Sequence, residues 1–417
     1  MFGDRNGDLR GGTLPTGENT ITFDLYSKNK LGGDRLGTIT RNFSIVNDIT
    51  PNINQITANN IDDRFPQIDG NNLVWTQGLG SNEEIYHYDI TTQQTQQISP
   101  RTNGTDVNPS ISGNHVVWSS EIGQQNYAQY YNLNDGTTKT LSSDPIEGLV
   151  PIRGPVRIGG SKAIWVSSDS SSIFSYELDN ATQPKSLGDE DIAINVVAES
   201  GYQINDNYAV WVQENAEGGP DHIGVYDFSQ GSPSYLADAV DDADPKSIHL
   251  TDEYLVWGDN AFGINYYNLS TGVESKVFSG GANPKVTTWG DNVSVIWQGN
   301  DGDTDLYRQD IDPITGQPKG DVIPLTDNSF DDGFRFDVNG SRIAWMGGSV
   351  PGTGSFSSNI YYLDLSSNSS TPLQLTSQFG QDFPALSESH LAWNGRPIGE
   401  FGPGVQEIFL ADTGALT

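Results

Sequence analysis

The chain has 417 residues, no cysteine and a formal net charge of −33, with 35% apolar and 10% aromatic residues. The missing cysteines exclude disulfides, thiolate metal sites and cysteine nucleophiles. The negative charge opposes phosphate backbones and anionic lipid surfaces, so neither a nucleic-acid partner nor membrane insertion is expected, and no apolar run reaches the length of a spanning helix.

Residues 1–20 are polar and glycine-rich and carry no secretory signal. Residues 12–47 predict two alternating strands around a glycine-rich loop. A lone hairpin is marginal in water, so this segment reads either as the end of a module cut from a longer chain or as a hairpin that packs on the rest of the protein. The expected domain map is 1–48 for this β segment and 51–417 for everything after it.

From Phe65 onward one local pattern recurs. Trp75, Trp118, Trp165, Trp211, Trp257, Trp297, Trp345 and Trp393 each close a short apolar run that follows a turn, as in DGNNLVW, SGNHVVW and TDEYLVW. Successive spacings are 43, 47, 46, 46, 40, 48 and 48 residues. A period of about 40–50 residues with strand-like content predicts a radially repeated sheet fold. In the first unit the strands are expected at Pro66–Asp69, Leu73–Thr76, Glu84–Ile90 and Gln96–Ser99. The third strand recurs as EIYHYDI, AQYYNL, IGVYDF and NIYYLDL, and the fourth ends in Leu or Ile before a small residue, as in QQIS, KTLS, IPLT and LQLT. The eighth unit reaches Thr417 after its third strand, and Ile53–Thr57 reads like the strand it lacks. The fold class is therefore all-β: an eight-bladed propeller of four-stranded antiparallel blades whose N-terminal strand closes the last blade, preceded by a short hairpin. Closure removes open sheet edges. Repetition of the tryptophan in every unit predicts a structural role, with each ring filling the gap between neighbouring sheets.

These units resemble TolB-type propeller repeats. FPQIDGNNLVW followed by EIYHYDI, and NPSISGNHVVW followed by YYNL, carry the resemblance, which spans residues 51–417. Most units keep only the terminal Gly or Asn of that family's Ser-Pro-Asp-Gly turn. The resemblance implies the fold, and it leaves open a binding platform, a peptidase accessory domain or a polysaccharide lyase. Residues 12–47 similarly resemble the last hairpin of an immunoglobulin-like or cadherin-like module of bacterial surface proteins.

Second-to-third-strand connections read as long and varied, at 76–83, 119–126, 166–172, 212–221, 298–304, 346–358 and 394–405. Loop elaboration on one face marks it as the interaction face. The connections into the first strands carry Asp62, Asp63, Asp106, Asp241, Asp242, Asp244, Asp331, Asp332 and Asp382, expected mostly to cap backbone amides. In GNDGDTDLY, Asp301, Asp303 and Asp305 alternate as hard oxygen donors. Leu306 stands where an EF-hand needs glycine, so the turn is either a different calcium loop or a solvated acidic turn. Eight residues before the repeat tryptophans lie Gln67, Ser110, Arg157, Gln203, His249, Asp337 and Ala385, with Thr288 one place further back in the sixth unit. These belong to the innermost strands, and Arg157, His249 and Asp337 are the candidates for ligand contact. Trp289, outside the repeat pattern, is a fourth.

No catalytic constellation appears. His87, His115, His222, His249 and His390 occupy different strand positions, and neither a nucleophile elbow nor a zinc-binding helix is present. The expected function is a non-catalytic binding or scaffold propeller, secreted or on a bacterial cell surface, with a protein or carbohydrate partner. The alternative is a propeller-type polysaccharide lyase or hydrolase, in which His249, Arg157 and Tyr202 would meet across a channel. No cofactor is required, and calcium is the one metal suggested.

Overall fold

The computed structural model describes residues 52–416 except 101–103, 145–147, 150, 171, 181–182, 189–200, 214–221, 237–246, 260–262, 301, 329, 350–357, 368–370, 378–379 and 398–403. Ahead of these it describes backbone at Phe2–Gly3, Leu9–Arg10, Gly17–Tyr26 and Arg35–Ile45. The chain divides into two compact units, 1–52 and 53–415. In the first, Gly17–Tyr26 and Arg35–Ile45 pair as an antiparallel hairpin, with Gly17 opposite Ile45.

The second unit is built from four-stranded antiparallel sheets, each in chain order except the last, whose fourth strand comes from the start of the unit. The first comprises Asp63–Asp69, Asn72–Gln77, Glu84–Asp89 and Gln94–Gln97. Six such sheets stand alone, and two more, beginning at Thr105 and Ile152, are joined by a single pair, Asn126 opposite Ile152. Each first strand touches the first strand of the next sheet, and the circuit returns from Asp382–Leu386 to Asp63–Asp69. That circuit makes the unit a closed β-propeller with the first strands around its axis.

Ile53–Gln55 closes the ring. It pairs antiparallel with Glu407–Asp412, with Gln55 opposite Phe409 and Ile53 opposite Ala411. The seam continues past the strand: the Ile56 amide donates to the Ile408 carbonyl at 2.7 Å, and the Ile408 amide to Thr57 Oγ1 at 2.9 Å. The hydroxyl after the fourth strand plays this part in several blades. Ser99, Ser142, Thr326 and Thr376 accept from the amides of Ile85, Ala128, Leu306 and Ile360, all at 2.9–3.0 Å. Where the small residue after the Leu or Ile is Ser or Thr, it is thus a hydrogen-bonding clamp on the third strand.

The core lies between blades. All eight repeat tryptophans are at most 1% exposed. Trp118 packs with Val74, Ile85 and Ile98 of the preceding blade, and Trp75 with Ile408 and Leu410 across the seam. Five of the rings stack on the aromatic opposite them in the third strand: Trp75 on Tyr86, Trp165 on Phe174, Trp297 on Tyr307, Trp345 on Tyr361 and Trp393 on Phe409. Trp211 faces Gly224, where any Cβ would fall 2.2 Å from the indole.

The connecting acids divide: Asp62, Asp331 and Asp382 accept the backbone amides of Gln406, Thr304 and Phe383 at 2.7, 3.0 and 2.8 Å, as expected, and the other described ones do not. Asp63, Asp106 and Asp332 do not cap turns. They are buried and accept the indole N–H of Trp75, Trp118 and Trp345 at 2.7, 2.9 and 3.3 Å, and Gln381 does the same for Trp393 at 2.9 Å. A buried indole donor needs an acceptor, and a residue twelve or thirteen places upstream, one strand inward, supplies it. Asp241, Asp242 and Asp244 lie outside the described residues.

Burial raises the pKa of Asp63, Asp106, Asp332 and Glu407 above the ordinary carboxyl range, and their hydrogen-bond donors offset this only in part. A raised native value means the folded state holds the proton more tightly than the unfolded chain. The resulting stability is complete below the unfolded values near about 4 and is lost as pH climbs through the native ones. Self-repulsion of the negative charge grows in the same direction. The melting temperature is therefore expected to rise as pH falls from 7.5 to 5, and Asp106→Asn should flatten that rise. A thermal scan that is flat or falling toward pH 5 contradicts this account.

Two of the expected long loops are short. Residues 119–126 are hairpin, His115–Ile122 running into Gln125–Asn132 through Gly123 and Gln124, both at positive φ. Between Asn292–Asn300 and Thr304–Ile311 only three residues intervene. Polar composition conceals the first extension, whose tip at residues 121–126 is exposed throughout.

Candidate functional site at the propeller axis

Five of the first strands carry a bulge at a proline near their start. Phe65, Asn108, Gly154, Asn283 and Phe383 have positive φ, each directly precedes a proline, and the register slips there. Proline has no amide to donate, so a bulge is where a strand tolerates it. The first strands thus begin before the proline, at Asp63 in the first blade, and not at Pro66. A left-handed Phe or Asn is strained. In return, the bulge re-aims side chains toward the axis.

A cavity of ≈ 500 Å³ opens there, and Arg157, Gln203, His249, Asn283, Lys285 and Arg335 supply its polar wall. Phe336, Phe383, Pro284 and Pro384 supply flat apolar surface. No carboxylate lines it among the described residues. Its walls come from the starts of first strands and the end of a second strand at Gln298, so the mouth belongs to the face bearing the second-to-third-strand connections.

Of the four sequence candidates, Arg157 and His249 line this cavity. Asp337 stands behind it. Its Oδ1 pairs with Lys285 Nζ at 2.8 Å and its Oδ2 accepts the Leu386 amide at 2.9 Å, tying three blades together. Trp289 is elsewhere, at the end of Gly281–Trp289 beside the Gly290 turn, under the Arg308 guanidinium at 5.0 Å.

Lys285, not Thr288, is the sixth axial position. Register aligns Lys285 with Ile296, just as Gln67 aligns with Val74 and Arg157 with Ile164, each next to the repeat tryptophan. The sixth hairpin is longer than the others, so counting back from Trp297 stops short of the site. Counting forward from the proline finds it: Lys285 follows Pro284 as Ser110 follows Pro109. Arg335 also escapes the count from tryptophan, although it precedes Asp337 by two and alternation puts the two on one face.

The cations are held firmly. Lys285 Nζ lies 5.5 Å from the Phe336 ring centre as well as against Asp337. The Arg335 guanidinium lies 3.8 Å over the Phe383 ring, and its Nε pairs with Asp382 Oδ1 at 3.1 Å. Its side chain remains 48% exposed. His249 Nδ1 accepts the Val286 amide at 3.2 Å. Burial first, then the Lys285 charge, push its pKa down to about 3, against a smaller opposing pull from Asp337. Above that value the imidazole is neutral, and the amide on Nδ1 leaves the proton on Nε2. Tyr202 also lines the cavity, but its hydroxyl is spent on the Pro155 carbonyl.

The acidic turn lies away from the axis. Asp305 is buried and accepts Thr326 Oγ1 at 2.7 Å. Asp303 keeps its Oδ2 buried without a hydrogen-bond partner among the described residues. Asp301 lies outside them. Among the described residues no three acidic or imidazole side chains converge as an ion would require.

No family model and no curated protein matches this sequence. Solved structures do. The computationally designed Ika8 protein superposes with a TM-score of 0.53 at 12% identity, over 85% of this chain and 98% of its own. A prolyl endopeptidase gives 0.53 at 8% identity, over 85% and 55%, and a post-proline cleaving enzyme from Rickettsia typhi gives 0.52 at 10%, over 81% and 58%. This chain spans little more than half the length of the two peptidases. At such identities the likeness is one of architecture, and the chain is a β-propeller protein by its own strand pairing.

Proposed function

We propose that this propeller is a non-catalytic binding module of a secreted or surface-attached modular protein, capturing a protein or glycan partner on the face where the axial cavity opens. One observation carries the reading. The polar groups on the cavity wall that could do chemistry are already committed, with His249 Nδ1 on a backbone amide, Lys285 on Asp337 and Tyr202 on a backbone carbonyl. Such groups can recognise a ligand and are poorly placed to exchange protons with one. The TolB-type pattern of the repeats and the surface-module pattern of residues 12–47 support the same reading, as does an overall charge suited to an extracellular milieu.

The rival, a polysaccharide lyase or hydrolase, draws support from one feature: Arg157, Tyr202 and His249 share the cavity. A lyase needs a base, and a histidine that is neutral with one ring nitrogen occupied by an amide retains only its donor. Titration of the whole chain against glycan and peptide panels, with and without calcium, tests the proposal. Selective binding without turnover is expected. Release of unsaturated products from acidic polysaccharides would favour the rival, and silence from a folded protein would refute both. A ligand-independent rise in melting temperature with calcium would assign an ion to the Asp301–Asp305 turn.

A further inference from the structure

We propose that ring closure is operated by a proton: one hydrogen held between Glu407 and Asp63 fastens the entering segment to the last blade, and its removal by base loosens that joint. This is independent of what the axial cavity binds. Glu407 opens the third strand of the last blade and Asp63 the first strand of the first. Both carboxyls are out of water, Asp63 at 0% and Glu407 at 1% exposure, and they are in hydrogen-bond contact with each other. The segment that follows the closing strand is tied to both. The Asn59 amide donates to Glu407 Oε1 at 3.0 Å, and Asn59 Nδ2 donates to Asp63 Oδ2 at 2.8 Å. Thr57, whose Oγ1 accepts the Ile408 amide at 2.9 Å, also bonds the carboxyls.

Two carboxylates repel and cannot bond each other, whereas one proton turns the contact into a bond. The donors show which carboxyl holds it. Asp63 receives three N–H groups, from Trp75 and Gln77 on Oδ1 and from Asn59 on Oδ2, and such donors favour the charged form. Glu407 Oε2 is buried with no hydrogen-bond partner among the described residues, as an oxygen carrying its own hydrogen would be. Glu407 is therefore the donor and Asp63 the acceptor. The charged groups on the surrounding segments do not replace the proton. Asp62 accepts the Gln406 amide, Arg64 pairs with Glu83 at 2.6 Å, Glu84 accepts Ser99 Oγ at 2.5 Å, and Asp382 pairs with Arg335 at 3.1 Å. Arg396 follows Gly395, which lies opposite Glu407, and forms no ion pair with either carboxyl among the described residues.

The same two places recur at other blade junctions. Glu84 is in hydrogen-bond contact with Asp106 of the next blade. Where the seventh blade meets the eighth, amides stand there instead. Asn359 accepts Thr376 Oγ1 at 3.2 Å as Glu84 accepts Ser99 Oγ, and Gln381 accepts the Trp393 indole as Asp63 accepts that of Trp75. Neutral groups thus fill these places without harm to the fold, and acids at the seam make closure conditional on pH. Burial, and then the Asp63 carboxyl, hold the Glu407 proton above the ordinary range against the pull of its donors. The contribution to closure is complete below the unfolded value near about 4.3 and is lost as pH rises through the native one. Ile53–Gln55 offers only three paired residues to hold the joint after that.

The test is amide hydrogen exchange of the full chain from about pH 5 to about pH 8, corrected for the intrinsic pH dependence of exchange. Protection of the Ile408 amide should fall by at least about tenfold relative to that of Ile360, which bonds Thr376 at the amide-bearing junction. Glu407→Gln places an N–H donor where the proton stood and should hold that ratio constant. Because a substitution can disturb the fold, the Glu407 carboxyl carbon should also be followed by NMR in the unaltered chain, where it should titrate above the ordinary glutamate range. A constant ratio in the unaltered chain, a ratio that still falls in folded Glu407→Gln, or an ordinary or lowered Glu407 titration would each overturn the proposal.

Discussion

Trp75→Ala is expected to destabilise the protein by about 4 kcal/mol or more, measured as the loss in urea-unfolding free energy. Truncating a buried tryptophan removes its transfer free energy and leaves a cavity, together about 3–5 kcal/mol. Trp75 is fully buried and stacks on Tyr86 with ring centres 5.9 Å apart. The change also leaves Asp63 without the indole donor at 2.7 Å, and an acceptor deprived of a partner in the interior adds about 1–3 kcal/mol. Trp211→Ala provides the comparison. That indole is equally buried, but its Nε1 has no hydrogen-bond partner among the described residues. It should therefore cost less by about 1–2 kcal/mol. Equal losses would mean that the aspartate–indole bond contributes nothing, and a loss below about 1 kcal/mol at Trp75 would remove the ring from the core.

Deleting residues 1–59 should have an effect of similar size and a different signature. It removes Ile53–Gln55 together with the Ile56 amide and the Thr57 hydroxyl, both bonded across the seam. At about 1 kcal/mol for each hydrogen bond, and with the burial of Ile56 lost, the deficit is on the order of 5 kcal/mol. It also uncovers the edge of Glu407–Asp412, where Ile408, Phe409, Leu410 and Ala411 are buried. An apolar edge without a partner recruits another chain. Light scattering is expected to show dimers or larger species, with a lower, less cooperative thermal transition. A chain starting at Pro51 keeps the closing strand and should remain a monomer with unchanged melting temperature. A monomeric, fully stable protein starting at Asn60 would show that the ring does not depend on its seam.

The architecture was legible because one large residue recurs at one structural position. Each tryptophan must fill the same gap, so its spacing reports the blade period directly, and the hydroxyl that follows the fourth strand in several blades recurs for an equally local reason. What spacing does not report is how a pattern is stretched. Lys285 escapes a count from Trp297 because the sixth hairpin is longer, and the hairpin through Gly123 and Gln124 escapes notice because a projecting ribbon has no buried face to impose alternation. The Asp63, Asp106 and Asp332 bonds to indoles join residues twelve or thirteen places apart across a turn. In sequence, such an acid is indistinguishable from a turn cap. The axial site was half legible: the count from tryptophan reaches Arg157 and His249, whereas Asn283 is delivered by a bulge that only Pro284 announces, and Arg335 by a bulge at Gly333 in a strand without proline.

The antiparallel seam has a mechanical corollary. Ile53, where the chain enters the closing strand, lies opposite Ala411, close to where the chain leaves it. Tension applied between the two ends therefore acts on one extremity of this short ladder and breaks its bonds one after another, as a zip opens, instead of loading them together in shear. Anchored at one end and pulled from the other, the protein would yield first at this joint while the remaining blades keep their pairing.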